Sequence, residues 1–268
     1  MKKTLACTAL ALVLGTFGSL AAAHNVWLMP SSTVLSKADW ITVDAAVSND
    51  LFFFNHRPLA LENLTVVAPD GSALAPENAA TGKLRSVFDL NLTQTGTYRI
   101  AVLNQGAFAR WKEAGDGQVK RARGSVEDIA SKIPAGATDV EVTESIGRIE
   151  TFATVGKPSA IKATGKGLEL LPRTSPADLV QGEKATFAMH VDGKPAAGMA
   201  VNITRGDTRY RDQLAEVTVK TDAKGEFSVT WPQAGMYWLE ASTRDNKTSV
   251  PNAKERRLTY TATLEVLP

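Results

Sequence analysis

Three histidines, His24, His56 and His190, are the side chains in this 268-residue chain best suited to chemistry near neutral pH. What they could do depends on where the working chain begins. Lys2 and Lys3 form a basic n-region, residues 5–20 are apolar or small, and Ala21-Ala22-Ala23 is an A-x-A cleavage site. The apolar stretch falls short of the ~20 residues that a spanning helix needs, so it is expected to be a cleaved signal peptide. Cutting after Ala23 makes His24 the first residue. A terminal histidine offers its α-amine and its imidazole Nδ1 to one ion in a small chelate ring, and a second imidazole completes a T-shaped site. These borderline nitrogen donors suit Ni(II), Co(II) or Cu(II). The α-amine has a pKa near ~8, so displacing its proton with a metal at neutral pH costs little.

The candidate metal ligands are therefore His24, His56 and His190. His56 ends the apolar run Leu51-Phe52-Phe53-Phe54-Asn55 and precedes Arg57-Pro58, which places it at a strand end or loop tip. In Thr186-Phe187-Ala188-Met189-His190-Val191, alternation puts His190 on the side opposite Phe187, Met189 and Val191, where it reads as a solvent-side residue. His24 and His56 could meet within one domain, whereas His190 would have to reach them from another. HExxH, CxxC and closely spaced histidine pairs do not occur, which argues against a closed structural zinc site.

The elements that hold these residues follow from length and pattern. Removing residues 1–23 takes away Cys7, Lys2 and Lys3, so the remaining chain lacks cysteine and balances its 28 acidic side chains with as many basic ones. Disulfides and a nucleic-acid footprint are both excluded. Short alternating runs broken by Pro, Asp and Gly turns, such as residues 40–47, 64–68, 85–90 and 95–102, read as an all-β sandwich over 24–105. A similar series over 165–268 reads as a second sandwich. The predicted architecture is two immunoglobulin-like or fibronectin-like sandwiches in tandem, with a mixed insertion over 106–164.

Gln94-Thr95-Gly96-Thr97-Tyr98 and Gln233-Ala234-Gly235-Met236-Tyr237 share a Gln-x-Gly-x-Tyr core. Either two related sandwiches or convergent turn chemistry explains the match. In the insertion, residues 125–132 could form a short helix with Ser125 as cap, and residues 143–154 a returning strand. Lys120-Arg121-Ala122-Arg123 reads as a solvated loop, and the whole insertion as a possible lid over one sheet.

The stretch Gly167-Leu168-Glu169-Leu170-Leu171-Pro172-Arg173-Thr174-Ser175-Pro176, with Asp192-Gly193-Lys194-Pro195 beyond it, resembles a family of Gram-negative periplasmic proteins of unknown function. Members are often labelled as the periplasmic component of nickel or cobalt uptake systems. His24-Asn25-Val26-Trp27-Leu28-Met29-Pro30 is similar to the family's opening motif, which usually has an acidic residue where Asn25 stands. The resemblance implies secretion, tandem β domains and divalent-metal binding, and carries over only His24 as a site residue.

These readings converge on a periplasmic protein that buffers or delivers nickel, cobalt or copper to a membrane transporter or outer-membrane receptor, without membrane insertion of its own. An enzyme is not expected: a cysteine nucleophile, a G-x-S-x-G elbow and a phosphate-cradling loop are all missing from the sequence. Copper monooxygenase chemistry, which also uses a terminal His and a second His, is a minor alternative. Another is a metal-free interaction module for a protein or glycan, suggested by Phe52-Phe53-Phe54, which alternation cannot bury entirely against one core.

Overall fold

The computed structural model describes residues 24–115 and 117–268; the expected signal peptide, its cleavage site and Cys7 lie outside the described residues. The protein is all-β and immunoglobulin-like or fibronectin-like in its packing, with strands of alternating burial and short turns. The first half contributes β1 (Asn25–Pro30), β2 (Val34–Leu35), β3 (Asp39–Ser48), β4 (Arg57–Pro58), β5 (Leu64–Val67), β6 (Glu77–Thr81), β7 (Ser86–Leu92) and the long β8 (Gly96–Lys112). Next come β9 (Val119–Gly124) and β10 (Thr138–Val155). The second half holds β11 (Leu168–Pro172), β12 (Lys184–Val191), β13 (Lys194–Pro195), β14 (Ala200–Arg205), β15 (Val217–Lys220), β16 (Glu226–Thr230), β17 (Gly235–Asp245) and β18 (Ala253–Val266).

These strands form three sheets. One contains β1-β3-β7-β6 with β4, a second contains β11-β12-β13 with β16, and the third runs β15-β14-β17-β18-β10-β8-β5 with β2 and β9 attached. The third sheet draws on both halves of the chain, because β10 pairs antiparallel with β8 and parallel with β18. Its two faces serve different cores. Tyr98, Ile100, Val102, Ile149 and Ala153 pack with Leu28, Val43 and Phe88 of the first sheet. Phe152, Leu239, Leu258, Tyr260 and Leu264 pack with Leu170, Phe187 and Phe227 of the other. Period-two alternation is what allows one strand to feed both cores.

The two Gln-x-Gly-x-Tyr segments adopt the same geometry. Gly96 and Gly235 have φ of 133° and 127°, a region that L side chains rarely occupy. The Tyr98 hydroxyl donates to the Gln94 carbonyl at 3.2 Å, and the Tyr237 hydroxyl to the Gln233 carbonyl at 2.8 Å. This is the tyrosine-corner arrangement of immunoglobulin-like sandwiches.

The stretch expected as an insertion contains the end of β8, β9 and all of β10. In place of an eight-residue helix there is a 3-10 turn, Ile129–Lys132, and the Ser125 hydroxyl accepts from the Asp128 N–H at 3.0 Å. Ile129, Val126, Ile133 and Ala137 lie over Ala107, Ala109, Trp111 and Val142, so this segment does cover one face of a sheet. Residues 120–123 form edge strand rather than loop, with basic side chains of the kind that discourage edge-to-edge pairing.

Candidate functional site

The chain begins its first strand one residue after His24, and three contacts fix that strand. Trp27, fully buried, donates from Nε1 to Ser48 Oγ at 2.8 Å. Trp238 of β17 donates from Nε1 to the Val26 carbonyl at 2.9 Å, which ties the start of β1 to the shared sheet. β1 then pairs with β3 from Asn25↔Ser48 to Pro30↔Val43.

Residues 49–56 form a loop that returns beside His24. Asn49 N–H donates to Asn55 Oδ1 at 2.9 Å, and Asn55 Nδ2 donates to Asp50 Oδ2 at 2.7 Å. Asn25 Nδ2 donates to the Asn49 carbonyl at 3.1 Å, so Asn25 is a donor holding this loop. An ionised aspartate could not make that bond.

Leu51, Phe52 and Phe54 all pack around Trp27, which a regular strand would forbid. Phe52 has φ of 62°, and this left-handed turn brings consecutive side chains to one side. Phe53 points elsewhere, edge-on to Tyr210 at 5.8 Å between centroids and under the Arg209 guanidinium at 5.2 Å. Phe53 is thus covered by residues of the second half, while Phe52 and Phe54 pack on Trp27 and Phe54 also lies under the Arg85 guanidinium; none of these contacts comes from the 106–164 segment.

His24 and His56 meet at this loop. Their rings stack with centroids 3.9 Å apart and planes 8° from parallel, and both residues are exposed. Partial desolvation, then the neighbouring His24 and Arg57 charges, hold the His56 imidazole below its ordinary value, which favours the neutral ring that has a free lone pair. Imidazole lone pairs lie in the ring plane. One ion at ~2.0 Å from a nitrogen of each ring therefore requires one ring to turn out of the stack. The donor types fit a borderline divalent cation, and exposure leaves both rings room to turn. Among the described residues, no group of three or more His, Cys, Asp or Glu side chains is poised around one point.

His190 is not part of this pair. It lies on β12, opposite Glu169 of β11 and Pro195 of β13, within the sheet that packs on the other face of the shared sheet. Sequence alternation places it in solvent; in the structure it is half-buried and its Nδ1 is buried without a hydrogen-bond partner. Trp27, Trp238 and the Asn25–Asn49–Asn55 network are the positioning residues that sequence reading missed. The Asn49-Asp50 turn pair was their one local signal.

Among the described residues, no helix is long and apolar enough to cross a membrane. No curated protein matches the chain. Solved structures similar to it include the D0-D1 domain of intimin (13% identity, 90% of this chain and 97% of that one, TM-score 0.23). Trypsin-activated alpha-2-macroglobulin from Escherichia coli is similar at 14% identity, over 92% of this chain and 16% of that one, with a TM-score of 0.22. The fibronectin(III)-like modules of Clostridium thermocellum CbhA are similar at 9% identity, over 89% and 94%, with a TM-score of 0.21. A family model described as domain of unknown function DUF4198 matches residues 21–245, and the chain belongs to that family.

Proposed function

We propose that this is an exported periplasmic protein that binds a transition-metal ion, nickel, cobalt or copper, and buffers it or passes it to a membrane uptake system. The ligands in this reading are the α-amine and imidazole of His24, freed by signal cleavage, and the imidazole of His56. The observation that carries it is the contact between His24 and His56, 3.9 Å apart between ring centroids although distant in sequence. Two exposed imidazoles held together by a stapled loop supply two nitrogen donors with little ordering cost, and His24 adds a third once it is terminal. The test is calorimetric titration of protein beginning at His24 with Cu(II) and Ni(II), beside a form with one extra N-terminal residue and a His56→Ala variant. At least a tenfold loss of affinity is expected in both altered forms; equal affinity of all three would sink the reading.

One observation favours a second reading, a module that binds a protein or glycan. Tyr210 is 78% exposed and extends the Phe53–Arg209 contact into a surface aromatic cluster. Phe53→Ser would then remove a binding partner in a periplasmic pull-down without changing metal affinity; an unchanged partner list counts against it.

A further inference from the structure

The face of the shared sheet that packs on the first sheet does so over only part of its length. Along β8 the residues on this face are buried at Ile100 and Val102 but exposed at Asn104, and along β10 they are buried at Ile149 and exposed at Ser145. The strand registers place Gly106, Ser145, Arg257 and Arg244 in one row across β8, β10, β18 and β17. In the next row Thr143 faces Phe108, which faces Arg123 of β9. These residues line a groove of about 520 Å³. A Cβ at Gly106 would come within 2.9 Å of the Gly124 carbonyl, so the floor is backbone where a side chain could not fit.

The charged residues that line the groove are all arginines, with Glu255 beside Thr143 in the second row. No carboxylate lines the groove. Arg244 is paired with Glu255, but among the described residues neither Arg257 nor Arg123 has a carboxylate within ion-pair distance. Arg257 acts at longer range on the half-buried Glu240, and Arg123 lies over the Phe108 ring at 5.9 Å. Arg257 and Arg244 are direct cross-strand partners, a placement that like charges disfavour. Thr143 and Ser145 lie on β10, between the strands that carry Arg257 and Arg123, with no side-chain hydrogen bond to another described residue. A fork of guanidinium donors beside free hydroxyls is suited to oxyanions, which accept bidentate charge-assisted bonds. A groove of this volume is within the range of small-molecule sites.

We propose that this groove binds a small organic anion of the polycarboxylate or phosphate-monoester class, with Arg257 and Arg123 as its charge partners and Ser145 and Thr143 as hydroxyl donors. The site uses none of the residues of the histidine pair and does not depend on metal binding. It is tested by calorimetry of the processed chain at physiological salt with citrate and with glucose 6-phosphate, beside glucose. Saturable binding of at least one anion is expected, with none for glucose; which anion binds distinguishes carboxylate from phosphate. Arg257→Gln and Arg123→Gln should each weaken it at least tenfold, while Arg257→Gln leaves the ligand-free Tm unchanged or raises it. Arg121→Gln, on the same edge strand outside the groove, should bind as the wild type does. The proposal is overturned if neither anion binds saturably, if binding survives in the Arg123→Gln/Arg257→Gln double variant, or if Arg121→Gln weakens it equally.

Discussion

Arg99 of β8 and Glu150 of β10 form a buried ion pair in the middle of the shared sheet, with Arg99 Nε and Nη2 donating to the two carboxylate oxygens. The Tyr260 hydroxyl donates to Glu150 Oε2, and Arg99 Nη2 lies 3.6 Å from Glu169 Oε2 of β11. Glu169 in turn accepts from the N–H groups of Thr164 and Gly165, both at 2.8 Å. The network therefore joins the shared sheet to the sheet beneath it. Burial, then the neighbouring Glu150 charge, push the Tyr260 hydroxyl well above its ordinary value, so it remains a donor at any physiological pH.

Glu150→Ala is expected to lower stability by about 2–3 kcal/mol, because Arg99 keeps only the longer contact to Glu169 while the buried Tyr260 hydroxyl loses its acceptor. Urea unfolding checks this. A loss below about 1 kcal/mol would mean that Arg99 and its neighbours rearrange to reach water.

Arg256 bridges Asp192, in the β12–β13 turn, and Asp245 at the end of β17, at 2.7 and 2.6 Å. Its hydrogen bonds hold both carboxyls below the ordinary 3.8, against some burial. Because the folded values lie below the unfolded ones, the stabilisation is present at neutral pH and is lost as pH falls through the depressed values. Arg256→Met should cost about 2 kcal/mol at pH 7 and flatten the loss of stability below about pH 4. Urea midpoints measured from pH 7 to pH 2 would refute this if the variant and wild type lose stability in parallel.

The His56 imidazole should titrate below 6.5, and His24→Ala should move it back toward that value. With a depressed folded value the stack favours neutral His56 and is weakened as acid protonates that ring. Imidazole proton shifts followed by NMR give the answer, and a midpoint at or above 6.5 in the wild type contradicts the stacked geometry.

Asn25→Asp should release the loop that carries His56, since a carboxylate cannot donate to the Asn49 carbonyl. A stability loss of about 1 kcal/mol is expected. Faster hydrogen exchange at Asn49 N–H, which Asn55 now accepts, is the more direct readout; unchanged exchange would show that the loop is held without Asn25.

Local pattern was enough to identify strands such as Asp39–Ser48 and Lys184–Val191, and the paired Gln-x-Gly-x-Tyr turns, because period-two burial and glycine punctuation are written in consecutive residues. It was also enough to pick out His24 and His56 as the histidines with a chance of meeting. His190 shows where the method stops: alternation gives its side of the strand, while its half-burial depends on what packs there. The sequence by itself determined an all-β chain and three histidines as its candidate nitrogen donors, with the expectation that processing makes His24 terminal. Only the tertiary structure decided that β10 joins both sandwiches through one sheet, that Trp238 anchors the strand beginning beside His24, and that Arg257 and Arg244 stand side by side in the lining of an open groove. Each of these is a pairing between distant parts of the chain, set by register and packing that no single segment encodes.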